Sequence, residues 1–246
     1  MKNWTFILTF VILNFIFPPN IATASPSYQG LADTLLTTLN PTISKEVQNF
    51  YKTNKQYGLY DAKIVHIQRV QEGGFSFIVK VQVTTFEHAH NPPYGTDTIT
   101  LAVDPVAVKV VDFVHIGGEE EKKMEQFYKE ALADIYQTFA LNLKDYQMYS
   151  YDQLLFESEI LKEFTSLSHI AEKIVTTMLN PDIKPPFKNV IDPVTFINGS
   201  HGYILFKRAD GTNYMYVLKK RDDEWQITDK KKKQGKKMKA ELLWYE

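Results

Sequence analysis

The chain has 246 residues, of which 44% are hydrophobic and 23% are charged, and its formal net charge is −1. These values are ordinary for a folded protein, so wholesale disorder and fibrous classes are excluded. The chain contains no cysteine, which excludes disulfide scaffolds, cysteine-ligated metals and cysteine nucleophiles. The length favours two domains over one.

The first 24 residues have the pattern of a secretory signal peptide. A lysine at position 2 precedes an apolar run from Trp4 to Phe17, which is shorter than the roughly 20 residues of a membrane-spanning helix. Two prolines follow, and Ala22-Thr23-Ala24 then supplies the small residues that a signal peptidase recognises. We therefore expect cleavage between Ala24 and Ser25 and a soluble, exported mature chain.

Residues 25–117 are predicted to form an N-terminal α+β domain. Leucines at positions 31, 35, 36 and 39 recur at helical spacing, and Asn40-Pro41 predicts the end of this helix and the start of a second one. After a turn at Glu72-Gly73-Gly74, the alternation from Phe75 to Val83 is typical of a strand. Two β-branched runs, over 98–101 and 106–114, complete a predicted antiparallel sheet.

A domain boundary is predicted at Gly117-Gly118, because the glutamates that follow suit the positive end of a helix. Residues 118–229 are predicted to form a C-terminal α+β domain. Its helical patterns cover 127–143, 151–164 and 167–179, and its strands cover 194–197, 203–207, 214–219 and 224–227. Asp210-Gly211 predicts a hairpin. The predicted fold class is thus α+β, with two domains that each run from helices into an antiparallel sheet, followed by a lysine-rich segment over 230–246.

Part of the first half resembles a domain family of unknown function that occurs in exported proteins of spore-forming Gram-positive bacteria. The residues that carry the resemblance are Tyr60-Asp61-Ala62-Lys63-Ile64, Gly74-Phe75-Ser76-Phe77 and the segment from Thr85 to Gly95. The resemblance covers residues 31–115, and the family pattern has glycine where this chain has His88. It implies export and supplies no activity.

The second half is similar to the cone-shaped α+β fold of nuclear transport factor 2-like and cystatin-like domains. The similarity lies in the alternating strand from Tyr214 to Leu218, the acidic turn Asp222-Asp223 and the strand from Glu224 to Ile227 with its tryptophan. Such folds include enzymes, binding modules and spacers, so the resemblance does not select a function.

The sequence contains no strong catalytic signature: it lacks a Gly-x-Ser-x-Gly elbow, a phosphate-binding glycine loop and a His-Glu-x-x-His motif. Ser200 and His201 are adjacent, and adjacent side chains point apart on a strand. The glycines on either side of them favour a tight turn. We therefore predict no catalytic residue and no cofactor.

The best metal-binding pattern is His88 with His90, since residues two apart lie on the same side of an extended segment. A third ligand would have to come from elsewhere, with His66 and His115 as the candidates. We favour a polar loop without a metal, followed by a rigid turn over 91–95 that contains a cis bond between Pro92 and Pro93.

Charge is distributed unevenly along the chain. Residues 25–206 carry a net charge of −7, whereas residues 207–246 carry +5. Seven lysines fall within residues 229–239, namely Lys230, Lys231, Lys232, Lys233, Lys236, Lys237 and Lys239. Such a run is either a solvated tail or a site that adheres to a polyanion. Lysine suits the second role as a flexible point charge.

These features predict an exported, non-enzymatic binding or scaffold protein of the bacterial cell envelope, tethered to an anionic cell-wall polymer or membrane surface by its lysine-rich tail. Its domain clefts would bind a peptide, glycan or protein, and export excludes nucleic acid as a partner. The alternative is a small extracytoplasmic hydrolase or metal-assisted enzyme with a cone-shaped pocket. The space between sheet and helices distinguishes them, because an enzyme needs convergent polar groups there.

Overall fold

The computed structural model describes residues 27–87, 91–179 and 190–238. It contains two five-stranded antiparallel sheets with helices before each of them, which confirms the predicted α+β class. The predicted cleavage site at Ala24 and Ser25, the pair His88 and His90, and Lys239 lie outside the described residues. Across the three described ranges, no helix has the length and apolar character needed to cross a membrane.

The first element is a single helix, α1 (Tyr28–Tyr51), so the predicted break at Asn40-Pro41 is wrong. Pro41 lies inside the helix, where the missing N–H and the ring typically cost about 3 kcal/mol. Leu36, Leu39, Ile43 and Val47 form one buried stripe that continues past the proline. Burial of each such side chain contributes about 1.5–3 kcal/mol, so the stripe outweighs the cost of the proline.

The first sheet follows α1. Its strands are β1 (Gln56–Tyr57), β2 (Lys63–Arg69), β3 (Phe77–Glu87), β4 (Asn91–Val103) and β5 (Val108–Gly117). β1 and β2 both pair with one side of β3, β4 pairs with its other side, and β5 forms the far edge. The turn predicted over 91–95 is instead the beginning of β4. The cis bond between Pro92 and Pro93 is confirmed.

One face of the first sheet packs against α1. Val79, Val81, Val83, Ile99 and Leu101 meet the buried stripe of the helix in one apolar cluster. Because side chains alternate along a strand, the register also places Asp97 of β4 on this face, directly opposite His115 of β5. A polar pair therefore lies at one end of an apolar layer.

The second half begins at α2 (Glu119–Phe139), directly after Gly117 ends β5. The remaining elements are β6 (Gln147–Tyr149), α3 (Tyr151–Ile160), a 3₁₀ turn (Lys162–Phe164), α4 (Thr165–Ile174), a π-helical turn (Val175–Leu179), β7 (Val190–Asn198), β8 (His201–Arg208), β9 (Thr212–Arg221) and β10 (Glu224–Gln234). The sheet order is β6-β7-β8-β9-β10. The hairpin predicted at Asp210-Gly211 joins β8 to β9, with Gly211 at a φ of +93°.

Helices cover both faces of the second sheet. α2 packs on one face in a cluster that includes Leu205 and Met215, whereas α3 and α4 pack on the other in a cluster that includes Phe206 and Tyr216. Apolar side chains therefore make most of the contacts between the second sheet and its helices on both faces. The similarity to nuclear transport factor 2-like domains stays a prediction.

The last strand extends past residue 229, where the predicted C-terminal domain ended. Lys230 to Lys233 are part of β10 and pair with β9, whereas the sequence predicted a separate tail. The cause is that ladder hydrogen bonds use only the backbone, so exposed lysines are compatible with an edge strand. Beyond β10, the N–H of Gly235 donates to the carbonyl of Gly211 at 2.9 Å, and Met238 is buried.

Candidate functional site

The predicted polyanion-binding lysines form an exposed edge, which we call the lysine strand: Lys230, Lys231, Lys232 and Lys233. All four side chains are exposed, and they project to both sides of the sheet. Lys230 Nζ lies 4.7 Å from the ring centre of Tyr216, on the α4 side. Lys233 Nζ lies 5.7 Å from the ring centre of Phe139, on the α2 side.

The lysine strand forms few ion pairs. Among the described residues, a single ion pair involves these four lysines, and it joins Lys231 Nζ to Asp229 Oδ2 at 3.5 Å. Lys236 and Lys237 are also exposed and extend the positive surface beyond the strand. Lysines on an edge strand oppose pairing with foreign strands, and a group of exposed ammonium groups also raises the local positive potential.

A second polar group, which the sequence analysis missed, lies where the two halves meet. We call it the junction cluster: Tyr51, Asp97, His115 and Glu121. Tyr51 is the last residue of α1, and Glu121 belongs to the first turn of α2. Neighbouring strands supply Asp97 and His115.

Both ring nitrogens of His115 face carboxylates. Nδ1 lies 2.7 Å from Asp97 Oδ1 and 2.9 Å from the Tyr51 hydroxyl. Nε2 lies 3.3 Å from Glu121 Oε2, an ion-pair distance without a well-formed hydrogen bond. An imidazolium, with an N–H on each nitrogen, would serve both carboxylates.

Burial dominates the electrostatics of the junction cluster. It raises the pKa of Asp97 above its ordinary value, although hydrogen bonds from His115 and Tyr51 act in the opposite direction. Burial likewise raises the pKa of Tyr51. Asp97 Oδ2 is buried and has no hydrogen-bond partner within the described part of the chain. The hydrogen bonds to Asp97 therefore do not fully offset the effect of burying its carboxylate.

Two glycines make room for the junction cluster. A Cβ at Gly95 would lie 2.7 Å from His115 Cε1 and 2.8 Å from Thr85 Oγ1, and a Cβ at Gly117 would lie 2.6 Å from Glu121 Oε2. Thr85 and Gly95 both belong to the motif that carries the family resemblance. In the sequence, this motif indicated only a family resemblance, and His115 was named only as a candidate metal ligand.

A third polar group, the Lys207 network, is buried between α2 and the second sheet. Lys207 Nζ donates to Asp134 Oδ2 at 2.6 Å, to Asn213 Oδ1 at 2.8 Å and to the carbonyl of Gly211 at 3.2 Å. Asn213 Nδ2 donates to Asp134 Oδ2 and to Thr138 Oγ1, each at 2.8 Å. The backbone N–H of Lys236 also donates to Asp134, at 3.1 Å. This network fixes the segment that follows the lysine strand to α2.

The other sequence candidates are dispersed. His66 is exposed on β2, and His115 lies in the junction cluster. No group of three or more His, Asp or Glu side chains in the described ranges is placed to hold a metal ion. Ser200 and His201 lie at the hairpin between β7 and β8, where Gly199 has a φ of +58°, which confirms the predicted tight turn.

Comparison with known proteins places the first half in context. Residues 31–117 match the model of a family described as "Protein of unknown function (DUF3888)". The predicted resemblance to a domain family of unknown function is confirmed for this segment, which contains three of the four junction-cluster residues. No curated protein matches the chain. The implied source and the export of the chain stay predictions.

Proposed function

We propose that this protein is an exported, non-enzymatic binding or scaffold module of the bacterial cell envelope, which adheres to anionic polymers or lipid headgroups through the lysine strand. The observation that carries the proposal is the presence of four consecutive exposed lysines on an edge strand, with a single acidic partner among the described residues. Lys236 and Lys237 add to the same positive surface.

A folded strand strengthens the case for a binding surface over a solvated tail. The backbone of the lysines is already ordered by β9, so binding does not require the ordering of a flexible chain, which would oppose it. Each lysine near an anionic surface contributes about 1 kcal/mol. Two to four simultaneous contacts give weak, reversible and salt-sensitive adhesion.

Two further observations favour a binding module over an enzyme. The contacts between the second sheet and its helices are mainly apolar, and the polar groups of the Lys207 network among them hydrogen-bond to one another. In the junction cluster, both nitrogens of His115 face carboxylates. The hydrolase or metal-assisted alternative would need groups that converge on a bound substrate.

Retention on an immobilised polyphosphate column tests the proposal. The variant replaces Lys230, Lys231, Lys232 and Lys233 by Gln, and the matched control makes the same four charge changes at Lys109, Lys123, Lys129 and Lys144, which are also exposed. We expect the native chain and the control to be retained at low salt and released as salt rises, and the lysine-strand variant to flow through. Equal retention of both variants would contradict the proposal.

A further inference from the structure

Next to the lysine strand, an apolar groove of about 390 Å³ lies between α4 with its π-helical turn and the strands β9 and β10. We call it the α4–β10 groove. Its apolar lining comes from both sides, and consists of Ile170, Ile174, Met178, Tyr216, Trp225 and Ile227. The volume lies within the range of small-molecule sites in proteins, which are concave and mostly apolar.

Two cations line the same groove. Lys173 of α4 and Lys230 of β10 are both exposed. Both hydroxyls of the lining are already engaged: Tyr216 donates to Met178 Sδ at 2.8 Å, and Thr177 donates to the carbonyl of Lys173 at 2.6 Å. A ligand complementary to this groove therefore has an apolar body and a negatively charged end.

We propose that the α4–β10 groove binds an acyl chain of an anionic membrane lipid, with the lipid headgroup held by Lys173 and Lys230. This inference rests on the proposed function, since Lys230 belongs to the lysine strand, and it names the partner. Wall polymers built of phosphate and sugar offer charge without an acyl chain, so they would use the lysines and leave the groove empty. A membrane lipid uses both, because apolar burial and charge pairing act on the same molecule.

Trp225 lines the groove and provides a direct probe. Replacing the other two tryptophans, Trp4 and Trp244, by Phe leaves Trp225 as the single tryptophan of the full chain. Its fluorescence is then measured with vesicles of phosphatidylglycerol or phosphatidylcholine that carry bromine on the acyl chain. Bromine quenches tryptophan at short range, so quenching reports an acyl chain in the groove and not mere adhesion of the protein.

We expect stronger quenching by brominated phosphatidylglycerol than by brominated phosphatidylcholine. Lys173→Gln should weaken the apparent affinity about fivefold, which corresponds to about 1 kcal/mol per lysine near an anionic surface, whereas Lys129→Gln on α2 should not change it. Ile227→Thr in the groove should reduce quenching, whereas Ile116→Thr, the same substitution at an exposed isoleucine of β5, should not.

Three outcomes would overturn the inference. Two of them are equal quenching by the two lipids and quenching that does not change with Lys173→Gln and Ile227→Thr. The third is a change in Trp225 emission with protein concentration alone, which would assign the groove to a second copy of the chain. Polyphosphate retention separates the two proposals. If retention persists without acyl-chain quenching, the lysine strand binds polyanions and the lipid inference is wrong. If both are absent, both proposals are wrong.

Discussion

The junction cluster and the Lys207 network are both buried polar groups that attach α2 to a sheet, but they are compensated differently. Asp134 accepts hydrogen bonds from Lys207, from Asn213 and from the backbone of Lys236. Asp97 accepts from Tyr51 and His115 through one oxygen, and its second oxygen has no partner among the described residues. Each carboxylate accepts through one oxygen, but the Asp97 side chain is fully buried, whereas that of Asp134 is 10% exposed and has a lysine among its donors.

The two carboxylates titrate in opposite directions as a result. Burial is the largest single influence on each carboxylate, and acting alone it would raise both pKa values. For Asp134, the hydrogen bonds and the charge of Lys207 outweigh burial and lower the pKa below its ordinary value. For Asp97 the hydrogen bonds from His115 and Tyr51 do not outweigh burial, and its pKa stays above the ordinary value. We infer that the Lys207 network is a structural support for the segment that follows the lysine strand, whereas the stability of the junction cluster falls when Asp97 ionises.

We expect the largest loss in the free energy of unfolding from Asp134→Ala. The substitution leaves the ammonium group of Lys207 buried without its carboxylate, and breaking such a pair costs about 3–5 kcal/mol. Urea unfolding followed by circular dichroism measures the loss. The control is Glu125→Ala at an exposed position of the same helix, for which we expect a change within about 0.5 kcal/mol. A loss below about 1 kcal/mol for Asp134→Ala would show that the network is not a structural support.

A smaller loss is expected from Gly95→Ala in the junction cluster. The added methyl group would press on His115 and Thr85, and such overpacking costs about 1–3 kcal/mol. Gly30→Ala in α1 is the control: its Cβ would meet only Ser27 Oγ at 3.2 Å, and alanine is the better helix former by about 1 kcal/mol. Thermal unfolding should show opposite shifts for the two variants. Shifts of the same sign would mean that the cluster tolerates a methyl group.

The pH dependence of stability should differ in sign between the two carboxylates. The raised pKa of Asp97 means that the native protein loses stability relative to Asp97→Asn as the pH rises from 3.8 through the raised value. The lowered pKa of Asp134 means that the native protein loses stability relative to Asp134→Asn as the pH falls from 3.8 through the lowered value. Urea unfolding over a pH series measures both differences. Slopes of the same sign would contradict the comparison.

The smallest effect is expected where lysines are exposed. Replacing the four residues of the lysine strand by Gln keeps the backbone pairing with β9, and the two contacts between lysine and aromatic rings contribute about 0.5–1 kcal/mol each at exposed sites. Relief of repulsion among the four charges offsets part of this. Chemical denaturation should therefore show a net loss below about 1 kcal/mol. A loss as large as that of Asp134→Ala would give these lysines a structural role.

Much of the fold was predictable because strand alternation and helical spacing are local signals. The alternation predicted from Phe75 to Val83 overlaps β3 (Phe77–Glu87). The turn residues Asp210-Gly211 and Gly117-Gly118 likewise indicated the β8–β9 hairpin and the start of α2. The predicted break at Pro41 is wrong because the local preference of proline for a helix start is overridden by a buried stripe that extends on both sides of it. The lysines of β10 were not predicted to lie in a strand, because charge indicates exposure and gives no information on backbone pairing.

The sites were predictable in unequal measure. The lysine strand is a continuous run, so composition alone identified it. The junction cluster joins residues 51, 97, 115 and 121, which only the strand register and the start of α2 bring together. Asp97 directly precedes the β-branched run over 98–101, and the sequence holds no sign that its side chain faces the apolar layer. Its neighbours Thr85 and Gly95 were noticed for a family resemblance, and their steric role emerged only from the structure.

The central claim is that the lysine strand binds phosphate-bearing polyanions, and its most direct test is the salt dependence of affinity for soluble polyphosphate. Each lysine that contacts a phosphate releases bound counterions, so the logarithm of the binding constant falls linearly with the logarithm of salt concentration. We predict a slope for the Gln variant of Lys230, Lys231, Lys232 and Lys233 that is shallower than the native slope by two or more units. The control variant at Lys109, Lys123, Lys129 and Lys144 should keep the native slope. Equal slopes for the two variants would contradict the account.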